Sequence, residues 1–157
     1  MMASHFSRLF LVVTALLVSS CAAEGPDFKR ASIQSTEVGI IYVYRPLTSV
    51  IGRGENPYVY VNGENLGQLK AGGYLEKVVP IGEYKVTVRQ TVLFVPTWPE
   101  SVEVAVASGG SAYVKVDQRV TGFTTEGEGA TATQQVFIEE VGNEEGQIEI
   151  ERAKGNS

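Results

Sequence analysis

The chain has very few of the side chains on which most enzymatic chemistry depends. It contains one histidine, one cysteine and two methionines among 157 residues. His5 and both methionines lie within residues 1–20, which we predict to be removed as a signal peptide. The mature chain would then have no imidazole for a catalytic triad, for a general base or for a histidine-rich metal site. We therefore expect no catalytic residues, no metal site and no cofactor.

Carboxylate pairs are the remaining means of acid–base catalysis, and their placement does not favour it. Glu139 and Glu140 are adjacent in a predicted strand, so their side chains should point to opposite faces. Glu126 and Glu128 lie in a segment rich in glycine and threonine, residues 121–133, which we predict to be a mobile loop. A weak Ca²⁺ contact there would lack the spacing of an EF-hand. A hydrolase of cell-wall glycan, with two facing carboxylates, is the catalytic alternative left open.

Positive charge is also scarce. The formal net charge is −5 and no basic stripe runs along the chain, so we expect no nucleic-acid partner. The glycine-rich stretch Ile51-Gly52-Arg53-Gly54 could approach an anion. It lacks the following helix and lysine of a phosphate-binding loop, which favours a plain surface loop.

The N-terminus has the layout of an export signal. Residues 1–8 carry one arginine, and the apolar run Leu9–Val18 has about half the roughly 20 residues that a membrane-spanning helix needs. The sequence Val18-Ser19-Ser20-Cys21 follows and resembles the bacterial lipobox, in which an apolar residue and two small ones precede a cysteine that becomes lipidated. The alternative is ordinary cleavage after Ala23.

The lipobox resemblance implies cleavage between Ser20 and Cys21, with Cys21 as the site of lipid attachment. A thioether-linked diacylglycerol and an N-acyl chain would contribute about 0.8 kcal/mol for each buried CH₂ group, which gives stable membrane anchoring. Acylation would also explain a lone cysteine in an exported chain and would leave no thiol nucleophile or disulfide. Ala22 is not the aspartate that retains such proteins in the inner membrane. We therefore expect a cell-envelope protein, facing the periplasm from the outer membrane if the source has two membranes.

Four segments follow from these patterns. Residues 1–20 are predicted to be the lipoprotein signal peptide, and residues 21–37, which carry Gly25-Pro26, to be the lipidated N-terminus and a flexible tether. Residues 38–141 are predicted to form the folded domain. The acidic tail, residues 142–157, is expected to add an edge strand or a short helix, with a frayed end.

The folded segment has the alternation of short strands. Val59 and Val61 alternate with Tyr58 and Tyr60, and Asn62-Gly63 then favours a type I′ hairpin, because both of its central residues need a positive φ. Further strand patterns are Val38–Arg45, which is apolar on both faces and so predicted to be central, Tyr84–Arg89, Ser101–Val106, Ala112–Asp117 and Gln135–Val141. Val102, Val104 and Val106 should face Ala112, Val114 and Val116 across a core. We predict an all-β fold, an antiparallel sandwich of about seven strands of the immunoglobulin or transthyretin kind.

One apolar stretch does not alternate. Val92–Pro99 contains Phe94, the only tryptophan, Trp98, and two prolines, which cannot join a central ladder. It is predicted either to be a loop that caps the core or to expose Phe94 and Trp98 as a binding surface for a partner protein, a glycan or the membrane.

The order of these motifs resembles a known family. Ile41-Tyr42-Val43-Tyr44-Arg45-Pro46, Val59-Tyr60-Val61-Asn62-Gly63, Leu66-Gly67-Gln68-Leu69, Gly73-Tyr74 and Val79-Pro80-Ile81-Gly82-Glu83-Tyr84 resemble small bacterial lipoproteins that carry a domain of unknown function. The layout is also similar to PEGA-type modules, although Ile81-Gly82 stands where those more often have Pro-Gly. Arg45 matches a position that the family tends to fill with arginine. The resemblance implies the β fold and is silent on activity.

Together these features predict a non-enzymatic, lipid-anchored envelope protein that binds or scaffolds an envelope protein or a cell-wall partner. A structural lipoprotein subunit of a secretion or surface apparatus is the alternative.

Overall fold

The chain is described here from a computed structural model, over residues 22–33, 35–47, 56–92, 95–96, 99–126 and 129–156. These residues form eleven strands and one short helix. The strands are β1 (Val38–Tyr44), β2 (Tyr58–Val61), β3 (Glu64–Gln68), β4 (Gly73–Pro80), β5 (Gly82–Arg89), β6 (Thr91–Val92), β7 (Val95–Pro96), β8 (Glu100–Val106), β9 (Ser111–Glu126), β10 (Gly129–Val141) and β11 (Lys154–Gly155). The helix, α1, spans Asn143–Ile150.

The strands form two principal sheets and a small hairpin. One sheet has the order β10-β9-β1-β4-β11, the other β3-β2-β5-β8, and β6 pairs with β7. The second sheet is antiparallel throughout, but β1 runs parallel to β9 and β4 parallel to β11. The predicted all-β fold is confirmed in its main feature, a mostly β structure with two principal sheets; one of these sheets is mixed and not antiparallel, and the described residues form eleven strands where about seven were predicted. Parallel pairs join strands far apart in the sequence, and local hairpin signals do not reveal them.

The Asn62-Gly63 hairpin is confirmed. Asn62 has φ 48° and Gly63 φ 84°, the positive values that a type I′ turn requires. The Asn62 side chain also accepts a hydrogen bond from the backbone N–H of Lys85 at 2.8 Å, and the Asn62 N–H donates to the Lys85 carbonyl at 2.9 Å. The turn is therefore bonded to β5 as well as closing β2 onto β3.

A single apolar core lies between the two sheets. Along β5 and β8 its buried members alternate with more exposed residues, as the period of two requires. In β5, Val86 and Val88 are buried while Lys85 and Arg89 are exposed, as predicted. Both sheets contribute to this core: Ile41, Val43, Val59, Val61, Leu69, Val79, Val86, Val88, Val104, Val106, Ala112, Val114, Val116 and Val136. The predicted opposition of β8 and β9 across the core is confirmed by their membership of this cluster.

Strand β1 is buried on both faces, which confirms its predicted central position. Its second face, with Ile40, Tyr42 and Tyr44, contributes to a separate cluster that also includes Tyr113 and Ile150. Tyr42 and Tyr113 stack with their ring centroids 5.3 Å apart. The N-terminal segment and the C-terminal residues around α1 cover this face.

The N-terminal segment, residues 22–33, lies against the domain. Ala22 forms an isolated parallel bridge with Ala71, and Asp27 forms one with Lys154. The ring of Phe28 contacts Tyr42 and Tyr74 edge-on, with both centroid distances 5.2 Å. We call residues 22–33 the N-terminal strap. The prediction of a flexible tether is corrected for these residues. Isolated bridges and irregularly spaced apolar side chains carry no period, so the sequence pattern did not reveal the packing.

Residues 121–133 were predicted to be a mobile loop, and this is corrected. Residues 121–126 continue β9, and residues 129–133 begin β10, which pairs with β9 in antiparallel register. The pairing shifts register at Thr133 and Gln134. Threonine is β-branched and suits a strand, and this preference outweighs the glycines that suggested a loop.

The acidic tail is part of the fold. It forms the predicted short helix and also an edge strand, since β11 pairs with β4. Ile150 and Ala153 are buried against the second face of β1. The folded unit therefore extends beyond residues 38–141 at both ends.

Candidate functional site

The residues that the sequence singled out for function lie mostly outside the described residues. This holds for Ser20 and Cys21, for Phe94 and Trp98, for residues 51–54 and for Glu128. Their predicted roles stay predictions. Glu139 and Glu140 are both exposed on β10. The candidate site is therefore built from the residues that the structure brings together near the start of the described chain.

Ala22, which follows Cys21 directly, is attached to the domain at the start of β4. The N–H of Ala23 donates to the carbonyl of Ala71 at 3.0 Å, and the Ala23 side chain is buried. The strap then pairs with the C-terminus, where the N–H of Gly25 donates to the Gly155 carbonyl at 3.0 Å and the N–H of Gly155 donates to the Pro26 carbonyl at 2.6 Å. The first described residues are thus hydrogen-bonded at two successive places.

A cavity of about 210 Å³ lies beside this attachment point. It is formed where β1 ends, where the chain turns into β4 at Gly72, and where α1 ends. Gly72 has φ 71°, and a Cβ atom there would lie 3.3 Å from Cβ of Leu47. We call this part of the molecule the Ala71 end. The cavity is lined by Tyr44, Arg45, Pro46, Leu47, Gly72, Glu149, Arg152 and Ala153.

Glu149 connects α1 to the sheet in this cavity. Tyr44 and Lys115 are register partners in the parallel pair of β1 and β9, so their side chains leave the sheet on the same face. The Tyr44 hydroxyl donates to Oε2 of Glu149 at 2.6 Å, and Nζ of Lys115 donates to Oε1 at 2.8 Å. Both carboxylate oxygens therefore have a donor.

The charges of this cluster stabilise one another. Burial alone would raise the pKa of Glu149, but the hydrogen bonds from Lys115 and Tyr44 and the positive charges of Lys115 and Arg152 outweigh it, so the pKa lies below its usual value. The hydrogen bond to Glu149 raises the pKa of Lys115. Burial, followed by the hydrogen bond to Glu149, raises the pKa of the Tyr44 phenol. Near neutral pH the carboxylate and ammonium are charged and the phenol is neutral.

Arg45 is buried at the wall of the same cavity, with 4% of its surface exposed. Its backbone N–H donates to the Gly73 carbonyl at 2.9 Å, which closes β1 onto the start of β4. Its Nη2 donates to Oε1 of Gln118, which is also buried. The backbone of Arg45 thus connects the end of β1 to the start of β4, and its guanidinium, which needs a hydrogen-bond partner at this depth, connects it to the middle of β9.

The cluster is suited to holding elements together and not to acid–base catalysis. A general acid or base needs a pKa near the working pH, whereas the three shifts in this cluster move each pKa away from neutrality. Within the described residues, no group of three or more histidine, cysteine, aspartate or glutamate side chains is placed to hold a metal ion. No helix in the described part of the chain is long and apolar enough to cross a membrane.

Sequence reasoning did not identify this cluster. Tyr44, Lys115 and Glu149 belong to three different elements, and their meeting depends on the parallel register of β1 with β9 and on the path of α1. Glu149 was part of an acidic run in the predicted tail, where several neighbouring carboxylates carry the same signal. No local pattern distinguishes Glu149, which accepts two side-chain hydrogen bonds, from the neighbouring carboxylates.

The chain was compared with known proteins. Residues 35–131 match the family described as Protein of unknown function (DUF2846). No curated protein and no solved structure matches the chain. The predicted resemblance to a family of unknown function is confirmed at this level, and its lipoprotein and PEGA-like parts stay predictions.

Proposed function

The chain belongs to the DUF2846 family of proteins of unknown function, and we propose that it acts as a lipid-anchored, non-enzymatic binding module of the cell envelope. The lipid is carried by Cys21 after cleavage between Ser20 and Cys21. The partner is an envelope protein or a cell-wall component.

One observation carries the proposal: the lipobox-like Val18-Ser19-Ser20-Cys21 is followed at once by residues that pack on the domain. Attachment through Cys21 places a small β domain directly at a membrane surface. The shortage of catalytic side chains supports binding as its activity. Glu149 also supports binding over catalysis, because both of its carboxylate oxygens already accept hydrogen bonds, from Lys115 and from Tyr44.

The proposal includes the finer fold assignment. A core shared by two sheets supports an immunoglobulin- or transthyretin-like sandwich. An experimental structure would test this fold assignment, and the feature to compare with known sandwiches is the parallel pairing of β1 with β9.

Anchoring is tested by replacing Cys21 with serine in the full chain, expressed in a bacterial host that has the lipoprotein pathway. We expect the wild type to yield a mature protein whose mass exceeds that of residues 21–157 by the acyl groups. Cys21→Ser should yield an uncleaved precursor without lipid. Ala23→Ser is the matched control and should mature normally. A wild-type protein of unmodified mass, or a Cys21→Ser variant that matures normally, would overturn the proposal.

Binding is tested by crosslinking in intact cells, followed by mass spectrometry. We expect one envelope protein, or peptidoglycan fragments, to be recovered with the wild type in amounts well above those from a lipidated control protein. Recovery of a stoichiometric secretion or surface machine would favour the structural-subunit alternative. Recovery of nothing specific would contradict a binding role.

A further inference from the structure

We propose that the Ala71 end of the domain rests on the membrane, at the level of the phospholipid headgroups of the leaflet that holds the Cys21 lipid. This inference rests on the proposed anchoring at Cys21 and adds an orientation and a contact surface. The occupant of the surface is the phospholipid headgroup layer.

Very little chain separates the proposed lipid at Cys21 from the domain. Successive Cα atoms are about 3.8 Å apart, so an acylated Cys21 lies about one residue length from Ala22. Ala22 is paired with Ala71, and the Ala23 N–H is bonded to the Ala71 carbonyl. A flexible tether of about 15 residues would instead span roughly 20 Å on average. Because the strap is paired with the domain from Ala22 onward, almost no flexible chain lies between the lipid and the domain.

The strap is also attached to the domain along its length. After Ala23, the backbone pairs with Gly155, and Phe28 packs against Tyr42 and Tyr74. Even if Ala22 left Ala71, the contacts of Gly25 and Phe28 would keep it within a few residue lengths of the domain. The attachment point is therefore part of the folded structure, and the lipid enters the membrane at a fixed place on the domain.

The surface beside that place has both an apolar and a cationic side chain. Leu47 is exposed at 52% in spite of its apolar side chain, and Arg152, which is exposed, lines the adjoining cavity. Guanidinium groups bind phosphate oxygens, and an apolar side chain next to them suits the boundary between headgroups and acyl chains. The carboxylate in the same cavity, Glu149, is bonded by Lys115 and Tyr44.

The opposite end of the domain provides an internal reference. Ile81 is exposed at 51%, almost the same as Leu47, and it lies at the other end of β4. Seven residue steps along β4, at about 3.3 Å each, separate the two ends by roughly 23 Å. If the Ala71 end rests on the membrane, Ile81 stands in the aqueous phase.

The test compares spin labels at these two positions. The full chain is expressed with its own signal sequence, purified and placed in vesicles of phosphatidylethanolamine and phosphatidylglycerol. Leu47→Cys and Ile81→Cys each introduce one thiol, which is labelled with a nitroxide. Collision rates are measured with oxygen, which concentrates in lipid, and with a water-soluble nickel chelate. We expect the oxygen-to-nickel ratio at position 47 to exceed that at position 81 severalfold.

Equal ratios at the two positions in a protein carrying one label per chain would overturn the orientation. A failure of the anchoring itself is recognised separately, because an unacylated Cys21 would accept a second label and the mass would lack the acyl groups. The variant Phe28→Ala, combined with each label, loosens the strap without touching Cys21 and should reduce the contrast. Lys29→Ala, next to it and exposed, should leave the difference in oxygen-to-nickel ratio between the two labels unchanged. If Phe28→Ala also leaves that difference unchanged, the result would count against the proposal.

Discussion

Single residues in this molecule act by joining elements that are distant in the sequence. Glu149 bonds α1 to β1 through Tyr44 and to β9 through Lys115. Its pKa is lowered in the folded chain, so its contribution to stability is present above its unfolded pKa, about 4.3, and is lost as the pH falls through the folded pKa. The pKa of Lys115 is raised, so its contribution is present below about 10.4 and is lost as the pH rises through the folded value.

We therefore expect Glu149→Gln to lower the free energy of unfolding by about 1 kcal/mol near pH 7, because it removes a partly buried, charge-assisted pair. The difference from the wild type should shrink as the pH falls below about 4.3, the pKa of an unfolded glutamate, and through the lowered pKa of the folded chain. Urea unfolding at a series of pH values measures this. Glu140→Gln, on the exposed side of β10, is the control and should change little. A deficit that stayed constant down to pH 2 would contradict an electrostatic origin.

The stability of the domain should depend strongly on Val86, which lies on the core-facing side of β5. The residue is fully buried, and a carboxylate there would have no partner in an apolar core. We expect Val86→Asp to lose more than about 4 kcal/mol and to show no cooperative thermal transition by circular dichroism. Val78→Asp is the matched control, since Val78 is 58% exposed, and should unfold close to the wild-type midpoint.

At the scale of elements, α1 fits the sheet because Gly146 has no side chain. A Cβ atom on Gly146 would lie 2.4 Å from Cβ of Tyr113, so the helix would have to move away from β9. Alanine favours a helix over glycine by about 1 kcal/mol, but overpacking of this kind destabilises by about 1–3 kcal/mol. We expect Gly146→Ala to be less stable by about 1 kcal/mol in urea unfolding. Gly142→Ala, with no atom within 4 Å of its Cβ, should be near neutral; equal effects would refute the close-packing argument.

The strap is a second element whose stability can be measured. Phe28 is partly buried and makes two edge-on ring contacts. We expect Phe28→Ala to destabilise the chain by about 2 kcal/mol and to speed amide exchange at Gly25 more than in the core strands. Exposed Lys29→Ala serves as the control. Unchanged exchange at Gly25 would mean that the strap does not depend on this ring.

The elements also show what sequence patterns can and cannot reveal. The alternation in β2 and β5 and the Asn62-Gly63 turn were predictable, because a period of two and a positive φ leave local signatures. The strap, the ribbon of β9 and β10 beyond residue 121, and the parallel pairing of β1 with β9 were not, since each depends on contacts between distant segments. The Tyr44–Glu149–Lys115 cluster depends on that same pairing and was missed for the same reason.

At the scale of the whole molecule, the family match and the folded unit begin and end at different residues. The match covers residues 35–131, which contain β1 to β9 and the start of β10. The strap and the residues from 142 onward lie outside it and cover the second face of β1. We expect a chain truncated after Val141 to expose Ile40, Tyr42 and Tyr113, to bind a hydrophobic dye and to unfold at a markedly lower temperature. Removal of Lys154–Ser157 alone should have a smaller effect on unfolding, because Ile150 and Ala153 are retained.

The pairing of Gly25 and Pro26 with Gly155 has a consequence for the order of events during synthesis. The ribosome makes residues 25 and 26 long before residue 155. The backbone of Gly25 and Pro26 therefore stays unpaired with β11 until residue 155 has been made. Only then can the strap and β11 pair, so this part of the fold is completed late, and under the anchoring proposed above the domain reaches its fixed distance from the lipid at that moment.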